Sequence, residues 1–224
     1  MIFHYYKGFS LKKLNDKKFS HIWLLLYWPI FYLCFNLLEA RKGVNWIPIE
    51  MDLDAKIPFC EYFIIPYYFW FAYLVWMLVY TFFYDVDSFK KYMTFIIISY
   101  SVTCVIYLFF PTEQNLRPVL TQGDNFFKDL VYHLHNTVDN PKNVCPSLHV
   151  TGSMAVMFTA WHSKRYGNKY ARCLFIIITV LISLSTVFLK QHSAFDIFAA
   201  LILCFAIYPF VFRLIPFRRA KTAA

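Results

Sequence analysis

The sequence predicts an all-α, polytopic membrane protein: a six-helix transmembrane bundle with both termini cytoplasmic. Three observations predict it. Of 224 residues, 59% are hydrophobic and only 16% charged, an apolar excess beyond that of an ordinary soluble domain. The apolar residues are gathered into runs of about 20, the length needed to cross a hydrocarbon core of about 30 Å. Lysine and arginine concentrate in alternate gaps between the runs.

Taken in order, the runs are 20–40, 62–84, 91–110, 146–162, 170–189 and 193–212. The segment before the first, MIFHYYKGFSLKKLNDKKFS, carries lysines but lacks the apolar stretch and small-residue cleavage site of a signal peptide, so it is expected to be retained. After the first run, EARKGVNWIPIEMDLDAKIPF alternates apolar and polar residues and is expected to lie along the interface, anchored by Trp46. The connection from Pro111 to Cys145 is polar. The fourth run, SLHVTGSMAVMFTAW, mixes small and polar residues with apolar ones, as suits a helix enclosed by others. Aromatic residues reach 22% and serve packing and the interfacial belts.

Orientation follows from the charges. Lys7, Lys12, Lys13, Lys17, Lys18, Lys90, Lys91, Lys164, Arg165, Lys169, Arg172, Arg213, Arg218, Arg219 and Lys221 fall on one side, fifteen of the 22 basic residues. That side is cytoplasmic. Because the formal charge of +9 is spread among these gaps rather than over one soluble face, nucleic acid is not an indicated partner. The six cysteines include no C-x-x-C pair, and only Cys60 and Cys145 share an outer position from which a disulfide is conceivable. No repeat or second domain is visible, so 1–224 reads as one membrane-embedded domain with its chemistry in 111–200.

Ionisable residues at or within spans are costly, so their placement is informative. Arg117, Ser147, His149, Lys190, His192 and Asp196 all fall at the outer ends of the runs by span counting alone. His192 and Asp196 are four apart, on one helix face, where a carboxylate can accept the Nδ1 proton and leave Nε2 free to attack. Arg117 offers a planar fork for phosphate oxygens and Lys190 a second cation. Ser147, in the first turn after Pro146, lies where free amides favour an anion. His149 is available to protonate a leaving oxygen.

R-P, P-S-x-H and H-x-x-x-D, in that order and on one side of six spans, resemble the type 2 phosphatidic acid phosphatase superfamily. The resemblance implies that His192 is a phosphohistidine nucleophile, Asp196 its orienter and His149 the general acid. Arg117, Ser147 and Lys190 become phosphate ligands, with no metal or other cofactor required. The chain departs from the pattern at three places: Phe110 stands where a lysine usually precedes the arginine by seven residues, Leu148 replaces the glycine of P-S-G-H, and Thr186 follows Ser185 where an arginine is usual. The forms PT...RP, S-L-H and K-Q-H, with DAKIPF upstream, are similar to the branch that includes inositol phosphorylceramide synthases and their bacterial relatives.

Competing readings are weaker. His133 and His135 form an H-x-H pair with no third ligand at a useful spacing, so no metal site is assigned. Cys145 and His149 are four apart, but a thiol nucleophile would leave Arg117 and Lys190 without a task. A transporter would thread polar residues through to the cytoplasmic side, whereas these spans are polar mainly at their outer ends. The expected function is a lipid phosphatase acting on a phosphate monoester or diphosphate at the extracytoplasmic face, in a membrane that the short basic loops suggest is a bacterial plasma membrane. The alternative is a phosphotransferase that passes a phospho head group to an alcohol.

Overall fold

In the computed structural model, residues 5–123 and 125–215 are described. Among them the α-helices are α1 (Tyr27–Glu39), α2 (Asp52–Lys56), α3 (Ile64–Tyr84), α4 (Val86–Phe109), α5 (Phe126–His133), α6 (Leu148–His162), α7 (Lys169–Phe188) and α8 (Ala194–Pro209). Five helical stretches are long and apolar enough to cross a bilayer: Ser20–Glu39, Glu61–Tyr84, Val86–Phe109, Lys169–Phe188 and Ala194–Leu214. The chain is an integral membrane protein, and these stretches match five of the six runs. The sixth, α6, has 15 residues, about 22 Å at 1.5 Å per residue. The basic residues Arg218, Arg219 and Lys221, used in the orientation argument, lie outside the described residues.

Local chemistry sets the helix starts. The Asp85 carboxylate accepts the Ser88 amide at 3.2 Å and the Ser88 hydroxyl at 2.8 Å, so α4 opens at Val86 rather than at 91 and carries Lys90 and Lys91 in its first two turns. The Asn168 side chain accepts the Ala171 amide at 3.0 Å and opens α7 in the same way. Two 3-10 turns, Ser20–Leu26 and Glu61–Phe63, lead into α1 and α3.

The two long connections, before α3 and before α6, hold more structure than the all-α expectation allows. Strands β1 (Ile47–Pro48) and β2 (Thr112–Glu113) pair in parallel, with Ile47 opposite Thr112 and Pro48 opposite Glu113. Glu113 also bridges to Lys142. The apolar–polar alternation near Trp46 therefore marks a short strand, and the Trp46 ring receives the cations of Arg41 (5.7 Å) and Lys142 (4.9 Å). The second connection contains α5, which Asn125 opens by accepting the Lys128 amide at 2.9 Å. Val131 and, one turn on, Leu134 bury themselves against Ile64, Tyr67 and Leu189.

Helix α6 is the axis of the bundle, packed against α3, α4, α7 and α8. Every residue from His149 to Ala160 is buried. Small residues make this enclosure feasible. A Cβ on Gly152 would stand 2.6 Å from Tyr100 Oη and 3.1 Å from both Leu74 Cδ2 and Trp70 Nε1, so α3 and α4 approach α6 only because that position has no side chain. The result brings the N-termini of α6 and α8, together with the segment that follows α4, to one end of the bundle.

Candidate active site

Helix α8 begins with a reciprocal cap. Ser193 Oγ accepts the Phe195 amide at 3.1 Å, while Asp196 Oδ2 accepts the Ser193 amide at 3.1 Å. The same Oδ2 faces Nδ1 of His192 at 3.0 Å. A cap that is ordinary in itself thus fixes a carboxylate against the imidazole, and with Nδ1 donating to it the Nε2 lone pair is free. The backbone before the cap is held by α7: the amides of Gln191 and His192 both donate to Thr186 O, at 2.9 and 3.1 Å, and Lys190 takes a left-handed turn at φ 57°.

Helix α6 presents its first turn to the same place. The Ser147 amide donates to Asp196 O at 3.3 Å, and the rings of His149 and His192 lie 5.9 Å apart at 67°. His149 is held between Tyr67 and Trp70, with ring centroids 4.4 and 4.3 Å away. Tyr67 in turn donates to Asp139 Oδ2 at 2.6 Å. The two histidines are 9% and 7% exposed, so each offers little surface to solvent.

Arg117 joins this cluster through the connection between α4 and α6. Its Nη1 donates to the carbonyls of His135 (2.7 Å) and Asp139 (3.0 Å), and its Nη2 to Gln191 Oε1 (2.5 Å). Burial lowers the Arg117 pKa, and the Asp139 carboxylate acts in the opposite direction. His135 Nε2 donates to Leu189 O at 3.0 Å. Burial, then the charge of Arg117, push its pKa down to about 4, so the ring is neutral at pH 7 and serves this frame.

Among the described residues, buried polar atoms without a hydrogen-bond partner include Arg117 Nε, Ser147 Oγ, His149 Nε2, Gln191 Nε2, Trp70 Nε1 and Asp196 Oδ1. All six belong to residues that the contacts above tie together. Leaving a buried polar group unmatched costs about 1–3 kcal/mol, and all of these except Asp196 Oδ1 are able to donate, so a ligand rich in acceptors would relieve most of that cost. A phosphoryl group supplies them.

Of the six residues singled out from sequence, five, Arg117, Ser147, His149, His192 and Asp196, meet in this cluster. Lys190 adjoins it, but its ammonium donates to the carbonyls of Asp54 (2.7 Å) and Ile57 (2.6 Å) in the connection between α1 and α3. Sequence reasoning missed Gln191, Tyr67, Trp70 and Asp54. The last is buried, with Oδ2 accepting the Ser193 hydroxyl at 2.6 Å and Oδ1 the Ala194 amide at 2.8 Å. The available signals were the K-Q-H and DAKIPF strings, which mark the positions without giving a contact. Cys60 and Cys145 are free thiols; burial and the adjoining Asp196 charge raise the Cys145 pKa, which opposes a thiolate role.

No curated protein and no solved structure matches the chain. The model of the PAP2 superfamily matches residues 35–210, a stretch that takes in α2 through α8 and every residue of the cluster. A cluster of unmatched donors beside a histidine held by a carboxylate, at one end of an apolar helix bundle, suits a phosphatase- or phosphotransferase-type lipid enzyme, and the chain belongs to the PAP2 superfamily.

Proposed function

We propose that the protein spans the membrane six times, with both termini cytoplasmic, and removes the terminal phosphate of a lipid phosphate monoester or diphosphate at the extracytoplasmic face, through a phosphohistidine. The phosphoryl oxygens lie against Arg117 Nε, Ser147 Oγ and Gln191 Nε2. The Nε2 lone pair of His192 attacks phosphorus as the bond to the lipid oxygen breaks, and His149 delivers a proton to that oxygen. Asp196 accepts the Nδ1–H of the charged ring and stabilises it as positive charge develops. Water then attacks the phosphohistidine, His149 takes its proton, and phosphate leaves with the His192 lone pair restored. Positive charge comes from side chains, so no metal is required by this sequence of steps. The lipid chains enter between helices while the phosphate stays at the outer end.

The observation that carries this reading is the group of unmatched buried atoms able to donate, Arg117 Nε, Ser147 Oγ, His149 Nε2 and Gln191 Nε2 among them, around the His192–Asp196 pair. Phosphate release by purified protein from short-chain phosphatidic acid, measured with EDTA present, tests it. Release that survives EDTA and disappears in His192→Ala and His149→Ala is the expected result; release unaffected by both substitutions would sink the reading.

One observation favours the transferase alternative, in which a lipid hydroxyl or polyol replaces water. The near-complete burial of His149 and His192 shields a phosphohistidine from bulk water, in keeping with the S-L-H and K-Q-H forms of the inositol phosphorylceramide synthase-like branch. Adding a lipid alcohol or a polyol to the assay separates the two: a new phosphomonoester of the added alcohol at the expense of free phosphate marks the transferase.

A further inference from the structure

The connection between α1 and α3 reaches across the chain to the segment that carries His192, and it does so through both a carboxylate and its own carbonyls. Asp54 Oδ1 accepts the Ala194 amide at 2.8 Å, and Asp54 Oδ2 accepts both the Ser193 hydroxyl at 2.6 Å and the Met51 amide at 2.9 Å. In the opposite direction, Lys190 Nζ donates to the carbonyls of Asp54 and Ile57, at 2.7 and 2.6 Å. His192 therefore sits in the middle of a stretch, 190–194, whose two ends are both fastened to the five residues of α2 and its C-cap. These contacts span 133 to 140 positions of sequence.

Neither group is needed to satisfy α8 alone. Ser193 and Asp196 already complete its cap, and a carboxylate buried at 3% exposure is costly to desolvate unless it is fully bonded. The Lys190 turn, at φ 57° for a residue with a Cβ, also persists only when its surroundings hold it.

We infer that Asp54, with Lys190, is a positioning device for the nucleophile: α2 clamps the backbone on either side of His192 and so sets the line of attack of Nε2, while touching no part of the substrate. This rests on the phosphohistidine reading above. It also gives Lys190 a role through the fold in place of direct contact with phosphate.

The test is the single-turnover rate of phosphohistidine formation from radiolabelled short-chain phosphatidic acid in the full-length, detergent-solubilised protein. It is paired with the inhibition constant for inorganic phosphate and with thermal melting. Asp54→Asn keeps the size of the side chain but turns one acceptor into a donor. The rate is expected to fall about ten- to a hundredfold, the cost of a misplacement of about 1 Å, while phosphate inhibition stays within about twofold, since ground-state contacts are untouched. Ser193→Ala, which removes one hydroxyl and is mild for folding, is expected to lower the rate in the same direction by a smaller factor, and Lys190→Met likewise. A wild-type rate in Asp54→Asn, or a fall in rate matched by equal weakening of phosphate inhibition and a collapsed melting transition, overturns the inference. If the wild-type protein releases phosphate without forming a phosphohistidine, the parent reading fails instead, and the two failures are told apart by the wild-type lane alone.

Discussion

The rings of His149 and His192 meet edge to face with centroids 5.9 Å apart, while only His192 has a carboxylate on its Nδ1. On the proposed mechanism the two histidines, so close and with such different partners, divide the work between attack and proton delivery. His192→Ala should abolish release from every phosphate ester. His149→Asn should lower release from an alkyl lipid phosphate by about 10²- to 10⁴-fold, the usual range for a general acid, yet retain most activity on an aryl phosphate whose leaving oxygen needs no proton. Comparing the two substrates on the two variants checks the division.

Asp196→Asn leaves the shape of the α8 cap and removes the charge. The His192 ring then loses both its tautomeric preference and the partner for its positive charge. Turnover should fall by about 10²-fold or more with little change in the melting temperature, because an asparagine still caps the helix. A loss of folded protein in proportion to activity would show that the carboxylate serves the fold alone.

Arg117 makes three directed bonds through its two terminal nitrogens, a geometry that only a planar fork can supply. Arg117→Lys preserves the charge but cannot reach the carbonyls of His135 and Asp139 and Gln191 Oε1 together. Inhibition by inorganic phosphate should weaken by about tenfold, equivalent to about 1.4 kcal/mol. An unchanged inhibition constant would place the phosphate elsewhere.

His135 gives a pH dependence whose sign can be worked out. Its folded-state pKa is pushed down to about 4 from 6.5, so the unfolded chain takes up a proton that the folded chain refuses. Stability is unaffected above about pH 7 and declines as pH falls through the window between 6.5 and 4. Discounted for partial exposure, the loss should be on the order of 1 kcal/mol by pH 5. Melting curves of wild type and His135→Gln between pH 7.5 and 5 should therefore diverge, the variant being flatter; parallel curves would remove His135 as the cause.

At Gly152, an added methyl would press on Tyr100 Oη at 2.6 Å and on Trp70 Nε1 at 3.1 Å, and Trp70 is one of the two rings that hold His149. Gly152→Ala should destabilise the bundle by about 1–3 kcal/mol, as overpacking does, and should lower activity on alkyl substrates more than on aryl ones. Equal losses on both would confine its effect to folding.

Much of this was legible in the sequence because bilayer crossing and buried charge leave strong marks. Five apolar runs are plain by length, and His192, Asp196, His149 and Arg117 stand out because each is expensive where it sits. The strands at Ile47 and Thr112 were not legible, since two residues carry no period. Nor was the role of Asp54, whose partners Ser193 and Ala194 lie 139 and 140 positions away. Lys190 was visible as a cation, but its direction was not, because a long flexible stem can turn toward α2 or toward phosphate with the same sequence on either side.

The shortness and enclosure of α6 have a consequence for biogenesis. A helix of 15 residues with its middle wholly covered by neighbours is shorter than the about 20 residues that cross a hydrocarbon core, so the helices around it hold it at its depth. Two of the four helices around it, α7 and α8, are synthesised after it, so its enclosure is complete only when they arrive. A chain released from the ribosome before α8 emerges would hold Ser147 and His149 without His192 and Asp196, so on the proposed mechanism reactivity begins only when the bundle is complete.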